Sequence, residues 1–112
     1  MYDNNPRTDF ENFPAELLPL MAGFLSRRKG DIQELRLCLR ESRFNDCKNL
    51  AHRLKGGGTS YGFPVMSELG EQMEKAAKAE NRYELAELIQ IFEHVVMKAI
   101  HDFKLWENKS TG

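Results

Sequence analysis

Residues 81–106 read NRYELAELIQIFEHVVMKAIHDFKLW, the longest periodic stretch in the chain. At 3.6 residues per turn, Leu85, Leu88, Ile89, Phe92, Val95, Val96, Ala99, Phe103 and Trp106 share one side, which is the signature of a helix with a buried face. Asn81 followed by Glu84 is an N-cap pair that starts it. A helix this long, with an apolar stripe along its whole length, needs other helices to cover that stripe.

Upstream, Met66, Leu69, Gly70, Met73, Ala76 and Ala77 give a helix opened by Pro64, whose missing N–H costs nothing in a first turn. Asn81 closes it. Tyr61-Gly62-Phe63-Pro64 is a break. Before that, Phe44, Cys47, Leu50, Ala51 and Leu54 form the stripe of a helix opened by Ser42 or Arg43 and weakening at Gly56-Gly57-Gly58. Asp31 with Glu34 starts another, carrying Ile32, Leu35, Cys38 and Leu39 inward and stopping near Ser42. Leu17, Leu20, Met21, Phe24 and Leu25 follow helical spacing from Pro14, with Pro19 either starting or kinking that short segment and Gly30 ending it. No stretch alternates strictly between hairpin turn signals, so no strand is placed. The expected fold is all-α: an antiparallel up-down four-helix bundle with a short additional N-terminal helix. Residues 1–13 read as a flexible arm, 14–108 as the domain and 109–112 as a disordered tail.

The whole chain has 112 residues, 41% hydrophobic, enough for one core and one domain. Sixteen Lys and Arg against seventeen Asp and Glu leave a charge of -1, so no global field draws it to nucleic acid or to a membrane surface. Its apolar runs are too short for a membrane span or a secretory leader, which leaves the cytoplasm as the default compartment. Cys38 and Cys47, on apolar helix faces, read as free buried thiols. A start at Met1 is compatible with a stand-alone protein, and monomer is the default because the apolar stripes can all be used within one bundle.

His52 points away from the Cys47–Leu54 stripe. Its neighbours on the outward face are Lys48, Asn49, Lys55, Gly56 and Thr59, a small basic patch flattened by glycine. Each interior helical glycine costs about 1 kcal/mol against alanine, so three in a row point to close approach by another backbone. A neutral imidazole, with an ordinary pKa near 6.5, suits nucleophilic attack on a phosphoryl group. Lys48 and Lys55 would oppose its protonation and then bond the phosphoryl oxygens.

The run Ala51-His52-Arg53-Leu54-Lys55-Gly56-Gly57-Gly58-Thr59-Ser60-Tyr61-Gly62 closely resembles the signature of histidine-containing phosphotransfer domains, A-H-x-L-K-G with a later glycine. The stretch 63–79, with Glu68, Leu69, Ala76 and Ala77, resembles that family's next helix. The resemblance implies that His52 carries the phosphoryl group, that Lys55 supports it and that Gly56 clears space for a receiver domain. Lys48, Asn49, Arg53 and Thr59, close to His52 along the helix, are the residues expected to touch the partner. It implies a carrier without kinase activity or cofactor of its own, working between a hybrid sensor histidine kinase and a response regulator. The receiver would supply the aspartate, the Mg²⁺ and most of the catalysis. Three consecutive glycines exceed the family's usual number.

The rival reading is a helical docking module that binds and regulates a receiver or kinase without carrying phosphate. An enzyme has no support in paired carboxylates converging on a nucleophile. The glycines follow Lys55 and lack the G-x-x-x-x-G-K-[ST] order of a nucleotide loop. His94 and His101 read as surface histidines, not metal ligands. Met66, Met73, Phe92, Phe103 and Trp106 read as core.

Overall fold

The computed structural model describes residues 16, 18–57 and 63–111, with side chains up to 108. Four helices follow one another: α1 (Leu18–Arg40), α2 (Phe44–Gly57), α3 (Pro64–Lys78) and α4 (Arg82–Thr111). Each helix packs on its neighbours in the chain, and α1 also packs on α4, which closes an all-helical bundle with α2 and α4 at opposite corners. Among the described residues there is no strand.

The apolar stripes read from the sequence converge on one core. Met21, Phe24, Leu25, Ile32 and Leu35 come from α1, Leu50, Ala51 and Leu54 from α2, Met66, Leu69 and Met73 from α3, and Leu85, Phe92, Val95, Val96 and Ala99 from α4. Cys38 and Cys47 are buried and free, and burial pushes both thiols up, Cys47 to about 12, so they stay protonated and inert.

Three expectations fail toward the ends of the chain. There is no break at Gly30: α1 runs unbroken from Leu18 to Arg40, so the short N-terminal helix and the helix expected from Asp31 are one element. Gly30 is exposed, and a Cβ built on it would meet nothing within 4 Å. It tolerates the helix, while the buried residues on either side of it drive the helix through. Pro19 lies in the first turn of α1, where its missing N–H leaves no bond unmade. Leu20, expected in the stripe, is exposed. At the other end α4 continues to Thr111, so positions 109–111, assigned to a disordered tail, are helical. The expected arm over 1–13 lies outside the described residues.

The turns explain why the helices reverse where they do. Ser42 and Glu80 adopt positive φ, 58° and 54°, and each closes the same double bond pattern. Ser42 N–H reaches Leu39 O and Arg43 N–H reaches Cys38 O at the end of α1; Glu80 N–H reaches Ala77 O and Asn81 N–H reaches Ala76 O at the end of α3. Asn81 Oδ1 then accepts from Glu84 N–H at 3.2 Å, as the cap signature required. Arg82 reaches back to Leu39 O at 2.8 Å and to Ser42 Oγ, tying the start of α4 to the end of α1.

Helix length positions the site. At 1.5 Å per residue α2 and α3 are about half as long as α4. They form a short hairpin against one half of the longer α1–α4 pair. Its far end is pinned by Phe63, fully buried and stacked on Phe24 with ring centroids 6.0 Å apart.

Candidate functional site

The α2–α3 hairpin is held by a backbone contact. Gly70 is buried on α3, and a Cβ there would lie 2.6 Å from Lys55 N, 2.9 Å from Lys55 Cα and 3.0 Å from Leu54 C. Only glycine lets the two helices come this near. One turn along α3 from Gly70, and at the same seam, stands Glu74.

His52 crosses toward it. Its side chain is 65% exposed, and Nδ1 lies 2.7 Å from Glu74 Oε2. Lys55 Nζ lies 3.5 Å from the other oxygen, Oε1. The hydrogen bond from His52 holds the Glu74 carboxyl below the usual carboxylate range, with the positive charge of Lys55 acting the same way. An ionised carboxylate only accepts, so the imidazole must place its hydrogen on Nδ1. The lone pair of the neutral ring is then on Nε2, at the exposed edge.

The residues expected around His52 divide between two flanks. Lys48 leans toward α3 and lines a cleft with Phe44, Ala77 and Lys78. Lys55 leans the same way. Asn49 and Arg53 face α1 instead and border a second cleft with Glu34, Arg43 and Asp46. The structure therefore joins Lys55 to His52 through Glu74, and leaves Asn49 and Arg53 on the far side. Gly56 is exposed with nothing within 4 Å of its built Cβ, so the approach to His52 from that side is open. Thr59 lies outside the described residues.

Glu74 escaped the sequence reading because a lone glutamate on an exposed face carries no signal. Its position four residues after Gly70 was the available clue: the residue that marks closest approach also marks which α3 side chains can reach α2.

A family model for the Hpt domain matches residues 19–102, three quarters of the chain. The chain belongs to the Hpt domain family. No curated protein and no solved structure matches it. Hpt domains are phosphocarrier modules of two-component signalling that interact with receiver domains and kinases, and this Hpt domain is the all-helical bundle such membership implies. Among its described residues no helix is long and apolar enough to cross a membrane, and no group of three or more His, Cys, Asp or Glu could hold a metal ion.

Proposed function

We propose that this Hpt domain is a phosphorelay intermediate in which His52 Nε2 takes a phosphoryl group from the aspartyl phosphate of a receiver domain, or from a kinase, and passes it to a response regulator. The observation that carries this is the Nδ1–Glu74 bond on an otherwise exposed ring, which directs the nucleophilic lone pair outward.

The step balances on these atoms. The Nε2 lone pair attacks phosphorus in line, the P–O bond to the receiver aspartate breaks, and its electrons leave with the aspartate carboxylate. Nδ1 keeps its proton, so the ring becomes a phosphoimidazolium, and the facing Glu74 carboxylate stabilises that charge as it develops. Lys55, on a flexible stem beside the ring, turns from Glu74 to the phosphoryl oxygens. The open face at Gly56 admits the receiver, with Lys48 as a neighbouring contact. The receiver brings the Mg²⁺; the Hpt domain acts as carrier, without kinase activity or cofactor, in the cytoplasm.

The test is transfer from a phosphorylated cognate receiver with Mg²⁺. The label on the Hpt domain should be acid-labile, base-stable and lost in His52→Gln; a label that persists in that variant overturns the assignment. Glu74→Ala removes the carboxylate that faces the charge developing on the ring, and losing ~1.5–3 kcal/mol of stabilisation in the transition state should slow transfer about 10- to 100-fold. Its melting temperature should fall by only a few degrees, because His52 stands 65% exposed and an ion pair with one member in water adds about 0–1 kcal/mol to stability.

A further inference from the structure

α1 and α4 leave a groove between them, on the side of the bundle away from the α2–α3 seam. The two helices run antiparallel, and the Arg36–Glu93 ion pair sets their register. Seven residues back along α1, Lys29 is therefore level with Ile100, and seven further back Ala22 is level with Glu107. The groove, about 220 Å³ in volume, runs between these two levels. Leu25, Ile100 and Phe103 form its floor, and the short side chains of Ala22 and Ser26 keep its α1 wall low. An apolar cavity of about 150 Å³ holds benzene, so this one has room for an aromatic ring.

The upper rim is basic. Nearby cations are taken up by neighbours, Arg28 by Asp31 and Lys98 by Asp102. Lys29 and Lys104, which border the groove, have no ion-pair partner among the described residues. Glu107 stands at the lower mouth.

The chain carries a match just ahead of α1. Residues 9–13 read Asp9-Phe10-Glu11-Asn12-Phe13, two rings and two carboxylates with no cation among them. We propose that this segment folds back from the start of α1 and lies in the α1–α4 groove, Phe13 and Phe10 on its apolar floor, Glu11 at Lys104 and Asp9 at Lys29. The uncharged Pro14 and Ala15 then pass Glu107 at the mouth, and Arg7 falls beyond Lys29.

Reach permits this. α1 begins at Leu18, about 6 Å short of Ala22 and about 16 Å short of Lys29 along the axis. Phe13 stands five residues before Leu18 and Asp9 nine, extended spans of about 16 and 30 Å, which leaves chain for the turn. Tethering also favours this occupant over a second copy or a foreign peptide, because a short linker presents the segment at millimolar effective concentration. The flexible arm read from the sequence is then confined to the residues ahead of Asp9. His52, at the opposite seam, stays open.

Two cysteine pairs in the full chain read the docked position. Phe13→Cys with Ala22→Cys should close an intramolecular disulfide on mild oxidation faster than Phe13→Cys with Leu20→Cys. Leu20 is nearer in sequence and 53% exposed, but it faces the other side of α1, so an undocked segment would favour it. Cys38 and Cys47 are buried and do not compete. Cleavage after Glu11 by a glutamate-specific endoprotease, read by mass spectrometry against the matching free peptide, tracks the undocked fraction. Phe13→Ser should speed it about 10- to 100-fold, the worth of burying one phenylalanine side chain. Lys29→Glu and Asp9→Lys should each speed it, and the double exchange should bring it back toward the parent rate. Equal closure of the two disulfides, crosslinks only between chains, cleavage indifferent to Phe13→Ser, or no rescue by the double exchange overturns the proposal. None of these variants touches the α2–α3 hairpin, so their failure leaves the assignment of His52 standing.

Discussion

Gly70→Ala adds one methyl group at the seam between α2 and α3, and its cost can be worked out from three distances. The new Cβ would sit 2.6 Å from Lys55 N, 2.9 Å from Lys55 Cα and 3.0 Å from Leu54 C. All three are backbone atoms of a helix and none can rotate aside. Relief requires α3 to move off α2 by about 0.8 Å, to ordinary van der Waals separation. Overpacking of this kind costs about 1–3 kcal/mol, and a backbone obstacle puts it in the upper part of that range. Alanine's better helix propensity returns about 1 kcal/mol. The net loss is then about 1–2 kcal/mol, a fall in melting temperature of about 4–10 °C for a domain of this size. The same displacement would stretch the 2.7 Å His52–Glu74 bond to about 3.5 Å, outside hydrogen-bond range. Two assays on one variant therefore follow: a melting curve, and the rate of phosphotransfer at a temperature where the variant is fully folded. Both should fall. A variant that melts at or above the parent and transfers at the parent rate would refute the idea that backbone contact at Gly70 sets the site.

Other outcomes follow from the same structure. Gly30→Ala makes the identical chemical change in open space within α1, and should raise stability by up to about 1 kcal/mol, read as a higher melting temperature; a fall would mean the helix is strained there. Gly56→Leu should leave the melting curve nearly unchanged, since its Cβ meets nothing, while slowing transfer from a receiver by blocking access; normal transfer would remove the steric role assigned to this glycine. The Glu74 carboxyl should titrate below the ordinary glutamate value of 4.5 and return toward it in His52→Ala. Because its folded value is the lower one, the stability it contributes is present above that ordinary value and is lost as pH falls through the depressed one. Titration of the Glu74 side-chain carbonyl carbon by NMR reads this directly, and an unchanged midpoint in His52→Ala would show that the imidazole is not its partner.

Most of the fold was legible because the bundle is built from stripes. Leu85 through Phe103 and Met66 through Ala77 each report burial at 3.6-residue spacing, and the Asn81–Glu84 cap fixed one boundary to the residue. The misreadings have separate causes. Gly30 was read by local propensity, which is worth about 1 kcal/mol, whereas the packing of Phe24, Leu25, Ile32 and Leu35 on either side of it is worth several times more. Phe63 was taken for part of a loop and is instead among the most deeply buried side chains, because a residue just outside a helix has no periodicity to reveal it. His52, Lys55 and Gly56 were legible because they stand together on one face of one helix. Glu74 was not, since its meeting with His52 spans 22 residues of sequence and depends on a glycine whose meaning appears only when α2 lies against it.

That dependence supplies what the proposed in-line transfer asks of an exposed site, a fixed geometry. An ion pair at the surface contributes little to stability and cannot hold its own members in place against side-chain entropy. Here the order comes from below. The Gly70 contact locks the two helix backbones at the level of Lys55, and from fixed Cα positions the His52 ring, with only two side-chain torsions, meets the partly buried Glu74 carboxylate. Lys55, by contrast, reaches Glu74 Oε1 only at 3.5 Å through a long flexible stem, so it is held loosely enough to leave. In the role proposed for His52, which must receive and release the same group, that asymmetry is an advantage: a ring whose orientation is set by the rigid seam, beside a cation free to follow the phosphoryl group on and off.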